Sequence, residues 1–112
     1  MNSPGMIVDD IDSLNLNDSL VNEIRITHLN EIEIDLQLIV SYETQESVPC
    51  RLVFSDCNCA SLDLNLAYEG CDTIHSSAQS ARDDAYVEYH IETNTTASKI
   101  KVVAKRLYLL KF

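Results

Sequence analysis

Between Ile32 and Tyr42 an apolar side chain occupies every even position (Ile32, Ile34, Leu36, Leu38, Val40, Tyr42), while Glu33, Asp35, Gln37, Ile39 and Ser41 fill the odd ones. Successive side chains of an extended chain point to opposite faces, so a strand gathers the even set on one side. A helix would scatter the same residues around its circumference. The segment therefore predicts a strand with one apolar and one largely polar face, which needs a core on one side only.

The same two-residue period recurs on either side. Leu20, Ile24 and Ile26 alternate with Glu23, Arg25 and Thr27, and a short polar break at Asn30-Glu31 joins this first strand to the next as a hairpin. Val48, Cys50, Leu52 and Phe54 continue the meander as a third strand. Pro49 cannot donate a ladder hydrogen bond, which places it at a strand start or facing an unpaired side. Residues 56–61 read as a break, Leu62, Leu64, Leu66 and Tyr68 as a fourth strand, and Gly70 as a turn. The Ser- and Ala-rich stretch 72–82 has weak periodicity and reads as a loop or a short helical turn. Val87, Tyr89 and Ile91 oppose Glu88, His90 and Glu92 in a fifth strand. A sixth covers 99–112, apolar on both faces towards Leu107, Leu109, Leu110 and Phe112.

No segment carries an apolar stripe at helical spacing. The fold class expected is all-β: an antiparallel meander of about six strands forming a sandwich or partly open barrel, with at most one short helix. A length of 112 residues suits one domain. Residues 1–16 mix Pro4, Gly5 and several Asp and Asn with isolated apolar residues, and read as a flexible N-terminal arm in which Ile7-Val8 is available for a short edge strand. Residues 17–112 form the single β domain.

Eighteen acidic against eight basic residues give a net charge of −10. Such a field repels nucleic acid and anionic membranes, and it speeds encounter with a basic protein, a cationic peptide or a metal ion. Met1–Asp12 has no basic residue and the longest apolar runs are far too short to span a bilayer, so a cytoplasmic location is expected.

Cys57, Cys59, Cys71 and His75 are the residues with a metal-ligand look, three thiols and an imidazole. Structural zinc sites usually separate the first pair by two residues or more, whereas C-x-C on a regular strand aims both sulfurs to one side about 7 Å apart. The simpler reading makes the cysteines small apolar residues, with Cys50 facing the core beside Leu52, and no metal is assigned. His28, His75 and His90 lack a nucleophile context. His90 shares a strand face with Glu88 and Glu92, the best acid–base grouping in the chain, and no catalytic residue is assigned to it. With Gly5 and Gly70 as the only glycines a backbone phosphate cradle is hard to build, so no cofactor is expected. Lys99, Lys101, Lys105, Arg106 and Lys111 pair with acidic neighbours or blunt an exposed edge.

Asn17-Asp18-Ser19-Leu20-Val21, then Glu23-Ile24-Arg25-Ile26, the long hairpin and Leu52-Val53-Phe54-Ser55-Asp56-Cys57 together resemble small β-rich bacterial families. These include uncharacterised domains and the immunity proteins that accompany secreted toxins. The resemblance covers residues 17–57 and carries no functional residue across. It implies a non-enzymatic inhibitor that occupies a toxin's active face, which suits an acidic protein meeting a basic nuclease. The expected function is a non-catalytic acidic protein-binding domain, with Glu31, Glu33, Asp35, Asp83 and Asp84 as candidate partner-binding residues. Two alternatives stand beside it. One is a small-ligand or metal-binding β-barrel, with or without enzymatic activity, using Cys57, Cys59, Cys71, His75 or His90. The other is an accessory subunit that forms homo-oligomers through edge strands near Leu107–Phe112.

Overall fold

The structure is a computed structural model that describes residues 5–27, 29–67, 70, 72–82 and 85–112. The protein is all-β. Its strands are β1 (Met6–Ile7), β2 (Leu20–Thr27), β3 (Glu31–Ser41), β4 (Glu46–Asp63), β5 (Ile74–Ala81), β6 (Val87–Thr93) and β7 (Lys99–Lys111), with one 3-10 turn at Ile11–Leu14. They form one antiparallel sheet in the order β2-β3-β4-β7-β6-β5, and β1 pairs with β7 outside that path. The sheet is not closed, but its outer strands meet at one end. Leu20 on β2 bridges Thr73, Asp18 N–H donates to Ile74 O at 2.8 Å, and Ile74 N–H donates to Ser19 O at 2.9 Å.

Two long strands make the sheet double back on itself. The first part of β4 lies between β3 and β7, with Leu52 opposite both Ile34 and Leu109. Its second part has β7 alone, pairing Cys59–Asp63 with Val103–Lys99. The corner falls at Asp56, which adopts φ 55°, and the register shifts again between Cys57 and Cys59. The parity of the residues that join the core switches on β7 at the same place, from Leu109 and Leu107 to Ala104, Val102 and Ile100. Bulges bend and twist a strand in this way. The fold thus has a β1-β7-β4-β3-β2 half and a β4-β7-β6-β5 half, with one core between them.

That core is the even face of β3 and β4 (Ile32, Ile34, Leu36, Leu52, Phe54) packed with Tyr89, Ile91, Ile100, Val102 and Leu107. Phe54 is fully buried and meets Tyr89 edge to face, ring centroids 5.1 Å apart. Pro49 lies inside β4, three residues past its start and opposite Gln37 on β3, rather than at the strand start. Its carbonyl accepts from Phe112 N–H, so the side on which Pro49 lacks a donor faces the end of β7.

Three expectations need correction. Residues 5–16 are docked rather than a loose arm: Val8, Ile11 and Leu16 are buried in the core, and Val8 N–H donates to Leu107 O. Residues 56–61 are not a break but the middle of β4, and the strand ends at Asp63 without continuing through Leu64 and Leu66. The stretch 72–82 holds β5, neither helix nor loop.

Candidate functional site

The outer face of the β2-β3-β4 half brings the charges of three strands into rows, because cross-strand partners stand side by side. Glu23, Asp35 and Arg51 form one row, and Arg25 and Glu33 belong to the next. Arg25 grips Asp35 with both terminal nitrogens, at 2.9 and 3.0 Å, and its Nε donates to Glu33 at 3.0 Å. Arg51 Nε donates to the same Asp35 carboxylate at 2.7 Å, and its guanidinium lies 5.0 Å from the Phe112 ring centre. Hydrogen bonds from Arg25, then from Arg51, hold the Asp35 carboxyl down at about 2. Of the partner-binding candidates, Asp35 and Glu33 are therefore engaged within the chain. Glu31 makes no ion pair among the described residues. Asp83 and Asp84 lie outside the described residues.

A second acidic region behaves differently. The docked segment carries exposed Asp9, Asp10, Asp12 and Asp18 alongside β5, where Gln79 donates to Asp9 O and accepts from Ile11 N–H. It then reaches the β3–β4 turn, where Tyr42 OH donates to Asn17 O at 3.0 Å and Glu43 and Glu46 are exposed. None of these six carboxylates has a cationic partner within 4.0 Å among the described residues. All four arginines, in contrast, are taken up by other acids: Arg25 and Arg51 as above, Arg82 by Glu88, and Arg106 by Asp56 at 3.8 Å. Sequence reasoning passed over this acidic border. Its signal was present in the absence of any Lys or Arg through residues 1–24 and 26–50.

Asp72 is held by the backbone instead. Its carboxylate accepts from the N–H groups of Thr73, Thr95 and Thr96 and from the Thr96 hydroxyl, at 2.8 to 3.0 Å. Desolvation raises its pKa, but these donors outweigh it and hold the carboxyl well below the usual range. Asp72 O also accepts from Val21 N–H, so this residue ties the edge of β2 to β5 and to the β6–β7 turn. A pocket of about 210 Å³ beside it is lined by Ile24, Leu64, Leu66 and Ile100. Its polar rim is committed internally, with Asn65 N–H on Ser98 and Ser98 on Thr96.

The candidate metal residues do not converge where they are described. The register shift sets Cys57 opposite Ala104 on the core side and Cys59 opposite Val103 on the outer side, so C-x-C points to both faces rather than one. His75 hydrogen-bonds Asn94 near the far end of β6, about six residues or 20 Å along the strands from the Cys57 row. Cys71, like His28, lies outside the described residues. Among the described residues no group of three potential ligands gathers. Burial raises the Cys57 pKa and pushes that of core-facing Cys50 up to about 11, which keeps both as thiols.

His90, Glu88 and Arg82 form a chain on the outer face of the β4-β7-β6-β5 half. Glu88 takes Arg82 at 2.5 Å and His90 Nε2 at 2.6 Å, and these bonds, Arg82 first, lower its pKa. The trough beside His90, about 430 Å³, is lined by Ser61, Asp63, Glu92, Lys99 and Lys101 and is open to solvent. No hydroxyl or thiol among the described residues hydrogen-bonds His90, so the cluster has a base and an orienting acid but no attached nucleophile. No helix among the described residues is long and apolar enough to cross a membrane.

No protein-family model matches this chain, and no match was found among the curated proteins.

Proposed function

We propose that this chain is a non-catalytic, acidic protein-binding domain that docks onto a basic protein, in the manner of an immunity-type inhibitor of a toxin or nuclease. The observation that carries this reading is the division of its carboxylates. The four arginines are engaged by Asp35, Glu33, Glu88 and Asp56, and no lysine pairs with Asp9, Asp10, Asp12, Asp18, Glu43 or Glu46 among the described residues, which leaves these six as an unpaired acidic border. Unscreened charge of one sign accelerates association with the opposite sign and falls away with salt. Tyr42, half exposed within that border, supplies the large amphipathic side chain that such interfaces favour.

The test is titration calorimetry against basic proteins encoded by the genes neighbouring this chain's, at about 50 and 500 mM salt, where the Debye length shrinks from beyond 10 Å to a few ångströms. Affinity should drop with salt, and the variant Asp9→Asn, Asp12→Asn, Glu43→Gln, Glu46→Gln should bind more weakly and lose most of the salt dependence. Asp10 is left intact because it caps the 3-10 turn. Association indifferent to both salt and these substitutions would rule the reading out.

A further inference from the structure

The edge of β4 beyond its corner has no strand beside it among the described residues. From Cys59 to Asp63 the strand keeps uninterrupted register with β7, yet β3 has left its other side at Phe54. One backbone bond, Cys57 N–H to Asn30 O, marks where they part. Asn58, Cys59, Ala60 and Ser61 are exposed on both faces, although Ala60 opposes the buried Val102. Proteins commonly shield such an edge with lysine, proline or a covering loop. No lysine or proline lies between Asn58 and Leu62, no loop among the described residues pairs with this stretch, and its small side chains leave the backbone approachable. A groove of about 190 Å³ runs beside it, lined by Ile26, Thr27, Glu31 and Ala60, and Ile26 is 71% exposed there.

Backbone groups with no partner among the described residues, next to an apolar groove, suit an added strand. A second copy of this chain is disfavoured as the occupant, because each copy carries −10 and the two would repel. Glu31 lines the groove without an ion pair among the described residues and the groove holds no Lys or Arg, so complementarity selects a cation. We propose that Cys59–Asp63 accepts an extended basic segment of the partner by strand addition, main chain to main chain, with its apolar residues against Ile26. This rests on the reading of a basic protein partner and adds to it the surface and the shape of what binds.

The probe is a blocked peptide of about eight residues alternating Lys and Val, with its Glu-Val counterpart as control, followed by anisotropy and by amide hydrogen exchange of the full chain. The Lys-Val peptide should bind, slow exchange within Cys59–Asp63, and outcompete the Glu-Val peptide. Ala60→Lys should weaken it at least about tenfold, since like charge across an interface costs more than the 1.4 kcal/mol that a factor of ten represents. Ala60→Glu, equal in bulk and opposite in sign, should keep binding and shows that loss in the lysine variant is not misfolding. Salt-sensitive peptide binding without protection at Cys59–Asp63, or unchanged by Ala60→Lys, overturns the edge while leaving the basic partner standing. No salt-sensitive binding at all overturns both. Protection that grows with protein concentration in the absence of peptide assigns the edge to a second copy and overturns the partner.

Discussion

The two parts of β4 are made from one strand and differ in what stands beside them. From Cys50 to Phe54 it has β3 on one side and β7 on the other, and Cys50, Leu52, Val53 and Phe54 are buried. From Cys57 to Asp63 it has β7 alone, and four consecutive residues are exposed. Burial falls where the number of neighbouring strands falls from two to one and the side chains turn small and polar. The difference separates a part that holds the fold together from a part left free to bind.

Substitution at Phe54 should break this comparison most forcefully. Phe54→Ala removes a fully buried ring at the junction of both halves and should cost about 3–5 kcal/mol, whereas Ser61→Ala, seven residues along the same strand, should stay within about 0.5 kcal/mol. Urea denaturation of the two variants measures both. A comparable loss at Ser61 would mean that the second part of β4 is as tightly held as the first.

Next in size is the seam that brings the halves together at their edges. Asp72→Ala strips the partners from the N–H groups of Thr73, Thr95 and Thr96 and should cost about 2–3 kcal/mol, as loss of charge-assisted bonds does. Exchange should also speed up at Val21 and Ile74, whose N–H groups donate across the seam, while the β3–β4 amides stay protected. Equal acceleration everywhere would show that the halves do not open separately.

Much of this arrangement was legible in the sequence wherever a strand has one wet and one dry face. Ile32–Tyr42 fixed β3 within a residue of its observed limits, and the meander of β2, β3 and β4 followed from it. The signal fails where both faces share one environment. Asn58–Ser61 and the His75–Ala81 part of β5 are small, mostly polar edge residues, so alternation fades and the strands resemble loops. Val8, Ile11 and Leu16 escape for another reason. A two-residue strand followed by a single turn has no period to detect, although each of the three is buried. The candidate site divided in the same way. Total charge was plain, but which acids would be spent on Arg25 and Arg51 depends on cross-strand register, which a count of charges does not contain.

Asp35 gives a smaller and pH-dependent test. Its folded pKa of about 2 lies below the ordinary aspartate value near 3.8, so its contribution is complete above pH 4 and fades as pH falls through about 2. Asp35→Asn should cost about 1–2 kcal/mol at pH 7, because two guanidinium groups lose their shared acid on a face only partly open to water. The gap between wild type and variant should close steadily between pH 4 and 2. A gap that persists at pH 2 would mean that the substitution disturbs packing rather than removing a charge.

The smallest expected effect on stability belongs to the acids with no partner. Neutralising Asp9, Asp12, Glu43 and Glu46 removes no ion pair found among the described residues, so the unfolding free energy should move by no more than about 0.5 kcal/mol. The sign should favour the variant at low salt, since four like charges fewer lessen self-repulsion in the compact state, and the gain should vanish as salt screens them. Denaturation of both proteins at low and high salt resolves this. A clear loss of stability would place these carboxylates with Asp35, as structural groups, and remove the distinction on which a binding role for the border depends.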